Sequence, residues 1–144
     1  MPLHTISEPI PTWNEHSLGE LHAAAPDVLP VVLSGDPART AAAHDVIAID
    51  EQNIASVSDA ISKSDAVLLG GGGLLHDHHG IDEATLLRHG HWGLSLCAAL
   101  PVLAAVHDKP FAIAGVGAGP LSSEAGRRHA RVIAERAPPA LKAG

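Results

Sequence analysis

Asp77 stands in the run His76-Asp77-His78-His79, directly after an apolar stretch and four consecutive glycines, Gly70 to Gly73. A carboxylate beside imidazoles is the residue set of general acid–base chemistry, and the same groups are ligands for zinc or iron. Glycines at the end of a strand let the backbone take positive φ and approach a ligand with no Cβ in the way. Amides freed from a β-ladder there can point at an anion or a sugar oxygen. A sharp turn where sheet and helix pack too closely for side chains calls for the same glycines. Asp77 fits two roles: a base that takes a proton from a hydroxyl in a cleft, or a helix cap.

A second glycine stretch, "GVGAGP", holds Gly117, Gly119 and Pro120. It departs from the dinucleotide fingerprint, which needs G-x-G-x-x-G after the first strand and an acid at the end of the next. No nicotinamide or other cofactor is expected. His89 and His91 lie near the first cluster, but adjacent loop residues diverge and no H-x-x-x-H pair sits on a helix. The histidines, His76 among them, are therefore expected to hydrogen-bond substrate or backbone, with no metal. Arg127, Arg128 and Arg131 follow the second stretch and are expected to form a solvated helix face.

The elements that would hold these groups alternate. "VVLSG" is a short strand stopped by Gly35-Asp36-Pro37, and "PARTAAAH" suits a helix with Asp36 as N-cap and Pro37 at its first position. "DVIAID" is a second strand, and Ile54, Val57 and Ile61 recur at helical spacing behind Asn53, a cap. "AVLLG" is an unalternating third strand, as parallel strands covered on both faces are. A long loop follows, then a helix from Trp92 to His107 that Pro101 should kink or divide. "FAIAGVG" is the fourth strand, and a final amphipathic helix begins at Ser122 or Ser123 and runs to Arg136. Residues 1–27 show no clean period and form a poorly determined lead-in, leaving 28–144 as one Rossmann-like α/β domain: a parallel sheet flanked by helices. Both glycine stretches then fall at the carboxyl edge of the sheet, where ligands gather in such folds.

The whole chain narrows the function further. Its 144 residues suffice for one core without disulfides or metal. A net charge of −7 with only 9 Lys+Arg gives no basic footprint for nucleic acid, and two Trp, one Phe and no Tyr leave no stacking platform for bases. The one cysteine, Cys97, lies in an apolar stretch and reads as a buried, inert thiol. The N-terminus "MPLHTISEPIPTW" lacks the basic start and apolar run of a secretory signal, so a reducing, cytoplasmic setting is expected. The longest apolar stretch, Trp92 to Val106, is 15 residues, short of the ~20 that span a bilayer, so no membrane span is expected.

Taken together, "SDAVLLGGGGLLHDHHG", "HWGLSLCAALPVLAAVHDKPFAIAGVGAGPL" and "SEAGRRHARVIAERA" resemble the polysaccharide pyruvyl transferase family. Its members show a G-G-G-x-L-x-x-D turn after a strand, a helix ending in G/D-K-P, and a G-x-G-P-L turn before an Arg-bearing helix. "LSGDPARTAAAHDV" also resembles the family's S-x-D-P-x-x-T segment. The likeness covers about residues 28 to 137. It implies one half of a two-domain fold similar to GT-B glycosyltransferases. It also implies an activity: transfer of the pyruvyl unit of phosphoenolpyruvate to two hydroxyls of a sugar or glycan-lipid, as in exopolysaccharide or cell-wall synthesis. By the same likeness Gly71, Gly72, Gly73 and Asp77 line the acceptor side, with Asp77 as base or hydroxyl-orienting group, and Gly117, Gly119 and Pro120 shape the adjoining loop. "TWNEHSLGE" departs from the G-x-x-N-x-G-D loop with which relatives open. The relatives' second domain, which holds the donor, has no counterpart here, so this chain is expected to be inactive alone and to need a C-terminal domain or a partner copy. A noncatalytic sugar- or nucleotide-binding module, or a fragment of a nucleotide-sugar glycosyltransferase, would share the architecture.

Overall fold

A computed structural model of the chain describes residues 2–6, 11–77, 81, 84 and 94–137. Among the described residues five strands and five helices alternate: β1 (Pro2–Ile6), α1 (Pro11–Ala24), β2 (Leu29–Ser34), α2 (Pro37–His44), β3 (Ile47–Asp50), α3 (Ile54–Ser62), β4 (Ala66–Leu75), α4 (Leu94–Val106), β5 (Phe111–Ala118) and α5 (Glu124–Arg136). All pairings are parallel, in the order β3-β2-β1-β4-β5. This is the Rossmann-like α/β class that the alternation predicts.

Short-range chemistry sets most helix starts. The Asp36 carboxylate accepts from the Arg39 N–H at 3.1 Å, with Pro37 at the first helical position of α2. Asn53 accepts from Ser56 N–H at 3.1 Å and caps α3, and Ser123 accepts from Gly126 N–H at 2.9 Å and caps α5. Pro101 lies inside α4, which continues through it as one helix rather than two.

One sheet face and three helices build the core. Leu33, Val67, Leu69 and Phe111 meet Val57 and Ile61 of α3, Leu100 and Leu103 of α4, and Ile133 of α5. Val57 and Ile61 are four residues apart, on one helical face, and both are fully buried. α4 is apolar around most of its circumference: Leu96, Cys97, Ala98, Ala99 and Leu100 in succession are buried, and Cys97 is a free thiol. Across the sheet, α2 docks through a hydrogen bond of 2.7 Å between the hydroxyls of Thr40 and Ser34.

Residues 1–27, which lack a period, supply the centre of the sheet. β1 pairs with β2 on one side and β4 on the other. A five-residue strand of Pro, Leu, His, Thr and Ile carries too little pattern to be told from a loop, and only pairing to two neighbours defines it. Its position has a consequence for function. The chain runs outward from β1 through β2 to β3, then returns and runs outward the other way through β4 to β5, so the order reverses between β1 and β4. A crevice at the carboxyl ends of such a pair is where open α/β sheets take ligands.

Candidate functional site

The carboxyl rim begins with a knot on β2. Ser34 closes the strand, its hydroxyl accepts from Asp36 N–H at 3.0 Å, and it meets the Thr40 hydroxyl at 2.7 Å. Ser34, Asp36, Pro37 and Thr40 are the four defined residues of the S-x-D-P-x-x-T segment. All four serve the structure, Ser34 and Thr40 as a buried hydroxyl pair, Asp36 as a helix cap and Pro37 as the first-turn proline. Glu51, just past β3, is also buried and donates its N–H to Ser34 O at 3.1 Å. Residue order marks Ser34 and Thr40 only through the S-x-D-P-x-x-T likeness and does not single out Glu51, because a glutamate at a strand end has no pattern until its neighbour across the sheet is known.

The first glycine stretch is not a loop. Ala66–Leu75 is one continuous strand, with Gly70 opposite Ala114, Gly72 opposite Val116 and Leu75 opposite Ala118. Two residues lie between the last two contacts on β4 and one on β5, so β4 bulges between Gly72 and Leu75. The expectation that glycine amides leave the ladder is thus corrected: the run stays paired on the β5 side, because β5 carries its own glycine stretch alongside. Gly117 likewise lies within β5. β1 ends level with Leu69, whereas β4 and β5 continue together for five or six residues, roughly 17 Å at 3.3 Å per residue. They form a two-stranded tongue above the rim, beside the reversal point.

The tongue closes on itself. Gly119 N–H donates to Leu75 O at 2.8 Å, and Asp77 N–H donates to Pro120 O at 3.3 Å. Gly119 has φ +102°, a region open to glycine and strained for other residues. Gly71, Gly72, Gly73, His76, Asp77, Gly117, Gly119 and Pro120 are therefore brought to one end of two neighbouring strands.

Asp77 is 7% exposed, and its carboxylate turns onto the amino end of α5. Oδ1 accepts from the N–H and the hydroxyl of Ser122, both at 3.0 Å, and Oδ2 from the N–H and the hydroxyl of Ser123, both at 2.7 Å. Ser123 donates its hydroxyl proton to Asp77 and accepts from Gly126 N–H, so the chain of donors ends on an ionised carboxylate. The Ser122 and Ser123 amides foremost, then the hydroxyls, hold Asp77 well below the usual carboxylate range against the opposing effect of burial. Of the two roles open to Asp77, capping is the one whose hydrogen bonds are present, and the helix capped is α5, 45 residues further along rather than one beginning beside it. Gly126 is packed against this carboxylate: a Cβ there would overlap Oδ2 and lie 2.9 Å from the Asp77 Cβ and from Ser123 Oγ.

His76 is half-buried next to the clamp. His78, His79, His89 and His91 lie outside the described residues, and among the described residues no three metal-binding side chains converge. Arg127 donates to the carbonyls of Leu121 and Ser122 at 3.1 and 3.3 Å, bracing the turn before α5. Arg128 pairs with Glu124 at 3.0 Å on the exposed face, and Arg131 is exposed. Two cavities of about 530 and 510 Å³ open at the opposite, amino rim. One is lined by Leu21, His22, Leu29 and His44, the other by Pro101, Lys109, Phe111 and Arg136. Neither touches the tongue. No helix among the described residues is long and apolar enough to cross a membrane.

A family model described as polysaccharide pyruvyl transferase matches residues 14–140. No curated protein matches the chain.

Proposed function

The chain belongs to the polysaccharide pyruvyl transferase family, and from that premise we propose that it forms the acceptor-side part of an enzyme using phosphoenolpyruvate to build a cyclic ketal on a sugar or glycan-lipid. In that reaction the enol methylene gains a proton and becomes methyl. The former enol carbon forms two bonds to sugar oxygens, its bond to the phosphate oxygen breaks, and inorganic phosphate leaves. The two hydroxyl protons supply the methyl and the departing phosphate or solvent. A site for this chemistry must hold a polar, uncharged acceptor close to backbone and must neutralise the donor's phosphate and carboxylate.

One observation carries the acceptor assignment: two glycine-bearing strand ends run side by side past the rim, next to the point where strand order reverses. Side chains are sparse there, so a sugar ring can lie against backbone, with Gly71, Gly72, Gly73, Gly117, Gly119 and Pro120 forming the surface and His76 offering a hydrogen bond. Asp77 fastens this surface. A carboxylate engaged by four donors has little affinity for another proton, so its part in the reaction is to hold the rim in shape. The donor's anionic groups are met by residues of a second domain or a second copy, completing a GT-B-like cleft.

The test is release of inorganic phosphate from phosphoenolpyruvate in the presence of a sugar diol, with and without a family C-terminal half supplied in trans. Diol-dependent release in either arm supports the proposal. Binding of UDP with no response to phosphoenolpyruvate would replace it with a nucleotide-sugar glycosyltransferase reading.

A further inference from the structure

The amino end of a helix attracts anions because its N–H groups are unsatisfied and its dipole is positive there. In this fold α5 begins at the carboxyl rim, directly beside the tongue, where a substrate phosphate or carboxylate would otherwise be expected to settle. That position is taken. The Asp77 carboxylate occupies it with two backbone amides and two hydroxyls, all within 3.0 Å. Gly126 leaves no space for a side chain behind it.

We infer that Asp77 is a positioning residue that fills a built-in anion cradle with its own carboxylate, locking the ends of β4 and β5 to α5 and denying that helix terminus to substrate anions. Two independent features carry this. First, the donors are doubled: each carboxylate oxygen receives one amide and one hydroxyl from consecutive serines, more than a simple N-cap provides, which is one or two bonds. Second, the glycine at 126 fits the clamp, since the three nearest atoms an added Cβ would meet are Oδ2 and Cβ of Asp77 and Oγ of Ser123. The lock stands on geometry alone. Its bearing on substrate anions rests on the pyruvyl transfer proposed above: the donor's phosphate must be held by groups other than the start of α5.

Chemical rescue of the full chain tests the cradle without any assay of transfer. In Asp77→Gly the four donors face an empty, carboxylate-sized space. The variant is expected to melt below the wild-type Tm and to regain Tm saturably with sodium formate, with sodium chloride at equal ionic strength giving no such gain. Wild type should show no saturable response to formate. Gly126→Ala should lower the Tm of wild type clearly and that of Asp77→Gly by less, because the two Asp77 atoms are gone and only Ser123 Oγ remains close. If Asp77→Gly does not fold, Asp77→Asn serves: it fills the space, should melt lower than wild type, and should not respond to formate. Absence of formate rescue in folded Asp77→Gly, an equal Gly126→Ala penalty in both backgrounds, or an Asp77→Asn protein as stable as wild type would each overturn the inference. None of these readings depends on phosphate release, so the lock and the proposed transfer stand or fall separately.

Discussion

Ser34 and Thr40, six residues apart, bury their hydroxyls against each other at 2.7 Å, joining the last residue of β2 to the first turn of α2. The Ser34 hydroxyl also accepts the Asp36 amide, so one side chain holds strand end, turn and helix together. Thr40→Val keeps the shape and removes the partner. Its expected cost is about 1–2 kcal/mol, read from urea denaturation, because the remaining hydroxyl is buried with one bond fewer. In a double-mutant cycle with Ser34→Ala the two losses should be less than additive. Strict additivity would show that the pair is not coupled.

The clamp on Asp77 sets a pH dependence. Its folded pKa lies below the unfolded value of roughly 4, so the folded state binds this proton more weakly. The stability it lends is complete above the unfolded pKa and is lost as pH falls from there through the folded value. The gap in urea midpoint between wild type and Asp77→Asn should be constant from about pH 7 to 5 and should narrow from about pH 4 downward. An unchanged gap at about pH 3 would mean that charge has no part in it.

Ile133 places a fully buried side chain of α5 in the core formed with α4 and the sheet. Ile133→Ala should cost about 2–5 kcal/mol, more than any surface change on α5. Exposed Arg131→Ala on the same helix should stay within about 0.5 kcal/mol. Similar losses for the two would mean that α5 is not held by its apolar face.

Gly119 turns the chain after β5 at φ +102°. No atom crowds a Cβ there, so Gly119→Ala isolates backbone strain from packing. The expected loss is about 1 kcal/mol or more, by urea or thermal denaturation. A neutral substitution would show that this turn relaxes without penalty.

What could be read from residue order was what short-range chemistry decides. Asp36-Pro37, Asn53 and Ser123 start their helices as read, because a cap and the amide it satisfies are three residues apart. Val57 and Ile61 mark the buried face of α3, since helical period alone sets which side faces the core. The α/β class followed from alternation of such segments. Three features were settled only by the tertiary structure: β1 as the central strand, the paired state of the glycine run, and the attachment of Asp77 to α5. In each the deciding partner is remote in the chain: Val67 for His4, Val116 for Gly72, Ser123 for Asp77. A glycine tract is compatible with both loop and ladder, and an aspartate with both base and cap, until folding brings up the strand or the amides that complete it.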